Sequence, residues 1–95
     1  MTKKQLLSRL DELMTEKGMT SIDGGNGSIG WNESKSSIQN AINCLEASDE
    51  TMRDYLTVIK LKYPNTYKTI INNGDWLTHR FNRLYVYNTA RMALA

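Results

Sequence analysis

Cysteine, histidine and proline each occur once in the 95 residues, and long apolar runs do not occur at all. A lone Cys44 cannot close an intramolecular disulfide. Together with His79 it falls short of the ligand set of a structural zinc site. Neither a metal nor a cofactor is therefore expected. No stretch approaches the ~18 consecutive apolar residues of a membrane span, so no membrane partner is expected either. The segment from Met1 to Glu12 carries acids early and has no apolar core, which argues against a secretory signal and makes a reducing cytoplasm the default.

What is present fits an ordinary small globular protein: 40% hydrophobic and 23% charged residues in 10.9 kDa. This is one domain's worth of chain, and a single compact domain over 1–95 is expected. The net charge of +2 hides an asymmetry. Residues 1–52 hold five Lys/Arg against eight Asp/Glu, whereas 53–95 hold seven against Asp54 and Asp75. Seven of the eight aromatics also fall after residue 53, leaving only Trp31 before it. Cations interleaved with rings suit a polyanion or an acidic protein surface. The plainer alternative puts the rings in the core and the cations in solvent.

Local signals predict a mainly α domain of four or five helices, with a β-hairpin or Gly-rich loop between the first two. Thr2 and Gln5 have capping-box spacing. Leu6, Leu7, Leu10, Leu13 and Met14 then give a helix over 3–17, stopped at Lys17 and Gly18. Four turn-formers from Gly24 to Gly27 predict a hairpin or loop over 18–33 that puts Ile22, Ile29 and Trp31 on one face. Asn32 or Ser34 can cap a helix over 34–47 with Ile38, Ala41, Ile42 and Leu45 on its apolar face. Ser48 and Asp49 open a third helix, 49–63, striped by Met52, Tyr55, Leu56, Ile59 and Tyr63 and ended by Pro64. Val58 and Leu61 lie off that stripe, which predicts neighbours on more than one side. A short helix over 66–72 carries Tyr67, Ile70 and Ile71 and closes at Asn72, Asn73 and Gly74. Asp75 is expected to cap the last helix, 76–92, with Leu77, Phe81, Leu84, Tyr85 and Met92 as its apolar arc.

On that last helix Arg80, Arg83, Tyr87 and Arg91 recur at intervals of three, four and four, with Trp76 one turn earlier on the same side. Three guanidiniums along roughly 17 Å of helix would suit bidentate contact with phosphates or carboxylates. With Lys60, Lys62 and Lys68 they form the candidate partner-binding set. The alternative is a solvated stripe paired with acids of the same molecule. Asn88 falls within the expected apolar arc. There it is either satisfied by nearby backbone or fixes the register of a helix pair between subunits, which would make the chain a homodimer.

Other motifs carry less. Gly25, Gly27 and Gly30 spell G-x-G-x-x-G, but a helix precedes them and no parallel-sheet pattern follows, so turn chemistry explains them. Asp23 and Asn26 lack the remaining ligands of a calcium loop. Cys44 reads as a partly buried small residue rather than a nucleophile. His79 is the one candidate imidazole base, and Asp75 four residues earlier reads better as a cap. The sequence therefore predicts a non-enzymatic protein that modulates or inhibits a macromolecular partner, a nucleic-acid-handling protein in the favoured form. Direct DNA or RNA binding by the basic half is the alternative. Asn, Lys, Ile and Tyr supply 28 of the 95 residues. That usage, with the small size, is similar in style to short reading frames of phages and mobile elements.

Overall fold

In a computed structural model the described residues are 1–19 and 33–95. Of these, 78% are helical, in five helices, and none is in a strand. The hairpin or Gly-rich loop expected over 18–33 falls largely on 20–32, outside the described residues. No described helix is long and apolar enough to cross a membrane. The chain divides into two compact units, Met1–Glu46 and Ala47–Ala95.

The first unit holds α1 (Lys3–Glu16) and α2 (Lys35–Glu46). The capping box forms: the Gln5 amide donates to Thr2 Oγ1 at 3.1 Å and the Thr2 amide donates to Gln5 Oε1 at 2.7 Å. At the other end of α1, Gly18 takes φ +68°, a left-handed conformation that costs glycine little. Its amide donates to the Thr15 carbonyl and that of Met19 to the Met14 carbonyl, a Schellman closure. Met19 is thereby turned into the core, where it joins Leu6, Leu10, Leu13 and Met14 of α1 and Ile38, Ala41, Ile42 and Leu45 of α2. Ser34 Oγ accepts from the Ser37 amide at 3.2 Å at the start of α2. Cys44 is buried. Arg9 reaches both Glu12 and Glu46, at 3.3 and 4.0 Å.

The second unit holds α3 (Asp49–Lys62), α4 (Pro64–Asn72) and α5 (Arg80–Leu94). Ser48 caps α3 by accepting from the Thr51 amide at 3.0 Å. Pro64 does end α3, but it also starts α4 at once, because a proline at the first helical position loses no hydrogen bond there. The short helix therefore begins at Pro64 rather than 66. Gly74, at φ +85°, closes α4 as its sequence predicts.

Three contacts fix how α3 and α5 lie. Asp49 meets Arg83 at 2.9 Å, the Tyr55 and Tyr87 rings lie 5.9 Å apart, and Lys62 Nζ donates to the Ala93 carbonyl at 2.9 Å. The two helices thus run parallel, start beside start and end beside end. The chain returns between them along α4. Met52, Ile59, Val86 and Ala90 are fully buried in this unit. The helix α3 does have neighbours on two sides, α5 and α4, as its second apolar side suggests; Val58 is half-buried while Leu61 is 79% exposed.

Candidate functional site

The last helix starts four residues later than the sequence suggests, at Arg80. Asp75 does not cap it. Its carboxylate accepts from the Leu77 and Thr78 amides and from the Thr78 hydroxyl, folding the connecting turn back on itself. The cap is His79, whose Nδ1 accepts from the Asn82 amide at 3.3 Å. The Thr78 hydroxyl, then its amide, hold the Asp75 carboxyl below its ordinary value. A depressed folded value means that Asp75 favours the folded turn above its unfolded value. That contribution is lost as pH falls through the folded one. Asp75→Asn is therefore expected to lower melting slightly near neutrality, with the difference from the parent closing as pH falls below about 4. Melts at the two pH values check this; an equally steep acid limb in the variant removes Asp75 from the account.

The helix is also turned the other way from the sequence expectation. Arg83, Val86, Tyr87, Thr89, Ala90 and Ala93 are buried, while Phe81, Tyr85 and Met92, expected in the core, are 52%, 53% and 68% exposed. Asn88, between them, is exposed too. The guanidinium of Arg83, at 1% exposure, is enclosed rather than presented. Its Nη1 donates to Asp49 Oδ1 at 2.9 Å and to the Leu77 carbonyl at 3.2 Å, and its Nη2 donates to the Ala47 carbonyl at 2.5 Å. A buried cation is tolerable only with such partners, and the planar fork of arginine can reach three oxygens at once. Arg83 thus ties the start of α3, the 73–79 turn and α5 together.

The remaining candidates separate accordingly. Tyr87 is buried edge-on against Tyr55. Trp76 and Arg80 are half-buried, with the Arg80 guanidinium 5.6 Å from the Phe81 ring. Arg91 is exposed and lies 5.2 Å over the Tyr87 ring. Lys60 is exposed, 5.5 Å from the Tyr67 ring centre, and Lys68 is exposed on the second turn of α4. The projecting Arg80–Arg83–Tyr87–Arg91 stripe is therefore not assembled. Lys60 and Lys62 instead share the last turn of α3 and Arg91 that of α5, and Lys62 spans to the end of α5 through the Ala93 carbonyl.

This arrangement polarises the second unit. Asp49 and Glu50 sit in the first turn of α3, Asp54 in its second, and Asp75 just before α5. Lys60 and Lys62 lie in the last turn of α3, Arg91 in the last turn of α5, and Lys68 midway along α4. From residue 55 onward Asp75 is the one acid. One end is acidic, and the other is basic, with Tyr63 at the end of α3 and the Tyr67 ring against Lys60. Between α4 and α5 there is also a groove of about 270 Å³ lined by Thr69, Ile70, Asn73, Phe81, Asn82 and Tyr85. Its walls are mostly apolar and carry no carboxylate, imidazole or thiol.

Sequence reasoning missed the outward Phe81–Tyr85–Met92 face. The available signal was the run of small residues Val86, Ala90 and Ala93 in line with Arg83, which marks where a neighbouring helix can approach closely. No protein family, curated protein or solved structure matches this chain.

Proposed function

We propose that the chain is a small non-enzymatic binding protein that modulates a macromolecular partner through the basic, tyrosine-bearing end of its second unit. The observation that carries this reading is that Lys60, Lys62 and Arg91 occupy the last turns of two helices whose ends meet at Lys62 and Ala93, with no acidic side chain in those turns. The exposed Tyr63 and the Tyr67 ring beneath Lys60 add contact area and a cation–π partner. The partner that fits is a protein with a carboxylate-rich surface. Enzymes that process nucleic acids with carboxylate-held metal ions present one, and blocking it would inhibit them. Direct DNA or RNA binding is the weaker reading, since Arg83 is enclosed and cannot reach a phosphate.

A photoreactive residue at position 68, set against one at position 50 on the acidic end, tests the reading. The expected result is one protein cross-linked from 68, not from 50, and lost when Lys60 and Arg91 are both changed to Glu. Fluorescence anisotropy with single- and double-stranded oligonucleotides at about 50 and 200 mM salt runs beside it. Tight oligonucleotide binding that collapses with salt would overturn the proposal in favour of a nucleic-acid site. Cross-linking that is the same from both ends would remove the basic end altogether.

A further inference from the structure

The Lys60–Tyr67 pair belongs to a face that α3 and α4 turn away from α5. On α3, Lys60 stands two residues, about 200° of helix, from Lys62, which reaches α5. On α4, Ile71 stands the same angle from Thr69 and Asn73, which line the groove toward α5. Counting outward round α4 from the buried Ile70, Tyr67 comes at about 60°, Ile71 at about 100° and Lys68 at about 160°. Lys60 joins this outer side from α3, its ammonium 5.5 Å from the centre of the Tyr67 ring. An apolar strip of Tyr67 and Ile71 is thus bordered by Lys60 on one side and Lys68 on the other. Resting on the basic-end reading, we propose that this strip seats an amphipathic helix of the partner whose apolar stripe is flanked by carboxylates.

Charge selects this guest. Lys60 and Lys68 are exposed, and no Asp or Glu occurs from residue 55 to residue 74. Glu50 and Asp54 belong to the first two turns of α3, at the far end from Lys60. Two ammoniums astride the strip favour an anionic border on whatever lies between them and repel a basic one.

Burial selects the apolar part. Ile71 is 43% exposed and Tyr67 is half-buried, so a bare carboxylate cluster would leave both uncovered. The lysine stems extend the same surface, since their methylenes pack against apolar groups while the ammoniums stay in water. Shape selects a helix. Two packed helices leave a shallow furrow, and a third lies in it with anchors at intervals of three or four. The partner narrows from any acidic surface to one that presents large aliphatic anchors between acids.

Fluorescence anisotropy with three labelled peptides of about 18 residues, long enough to hold a helix, tests the proposal. One carries leucines at helical spacing bordered by glutamates. The second scrambles that sequence, and the third replaces its glutamates with glutamine. The first is expected to bind the full chain at least about tenfold more tightly than either of the others. Ile71→Gln should remove the advantage over the scrambled peptide with an unchanged far-UV spectrum, because Ile71 is close to half-exposed. Ile71→Leu should keep it. Equal binding of the patterned and scrambled peptides overturns the proposal, as does an advantage that survives Ile71→Gln or a failure of all three to bind. Patterned and glutamine peptides that bind alike overturn the charged border. The basic-end reading fails separately, through equal cross-linking from residues 68 and 50. Two acidic peptides that bind alike, and are both released when Lys60 and Arg91 are changed to Glu, would keep that reading while sinking the helix guest.

Discussion

Arg83→Ala is expected to be the most destabilising single change in the second unit, costing about 3 kcal/mol or more. Truncation strips the Ala47 and Leu77 carbonyls of their donor and leaves a guanidinium-shaped void beneath α5. Each buried acceptor left unpaired costs about 1–3 kcal/mol, and breaking a buried charge pair from one side costs about 3–5 kcal/mol. Asp49 is half-exposed and can be rehydrated, so the lower part of that range applies. For a chain of this size the loss corresponds to a fall in melting temperature of roughly 12 °C or more. Asp49→Asn should cost only about 1 kcal/mol, because its carboxylate faces water as well as Arg83. Arg83→Lys should fall between the two, since one ammonium cannot fork to three oxygens. Thermal melts followed by circular dichroism decide the matter. An Arg83→Ala variant melting within about 2 °C of the parent would be incompatible with an enclosed guanidinium.

The second large effect is expected at Ile59. It is fully buried on α3 at the level of Ala90 on α5, which is fully buried as well. Ile59→Ala removes apolar burial and leaves a cavity between two helices already held at three points along their length. The typical cost is about 2–5 kcal/mol. Leu61→Ala, two residues on, should change stability by no more than about 0.5 kcal/mol, because Leu61 is 79% exposed. Urea titration of both variants gives the comparison. Equal midpoints would mean that the α3 face is not oriented as described.

Much of the architecture is readable because it is local. Thr2, Ser34 and Ser48 announce helix starts through a hydroxyl and an amide three residues on, and Gly18 and Gly74 announce ends through positive φ. In α1 and α2 the large aliphatics occupy one face only, so Leu6, Leu10, Leu13 and Met14, and likewise Ile38, Ile42 and Leu45, point unambiguously to the core. On α5 the same arithmetic misleads. Phe81, Tyr85 and Met92 outweigh Val86, Ala90 and Ala93 in any count of hydrophobicity, and the charge of Arg83 argues against burial. Its burial depends on the Ala47 carbonyl and the Asp49 carboxylate, more than 30 residues away, as well as on the nearby Leu77 carbonyl, which no local pattern encodes. The start of α5 was hidden for a related reason: Asp75 has the right chemistry for a cap but spends it on its own turn, leaving His79 to serve. Of the candidate site, the exposed cations Lys60, Lys62, Lys68 and Arg91 were legible. The inward turn of Arg83 and Tyr87 was not.

Two neighbouring helices that run in the same direction cannot be joined by a simple turn, and this shapes how the second unit must assemble. The partners that lock α5 onto α3 are 34 residues apart at Asp49 and Arg83, and 31 apart at Lys62 and Ala93. Closing loops of that length costs roughly 3 kcal/mol of chain entropy before any contact offsets it. The adjacent α3 and α4 have no such barrier and can associate early, while α5 docks last. The helix that carries both the enclosed arginine and the exposed Phe81, Tyr85 and Met92 is therefore the one whose amides should exchange through partial opening rather than global unfolding. Changes along it should register chiefly in how fast the unit comes apart, with the rate at which it forms left nearly untouched.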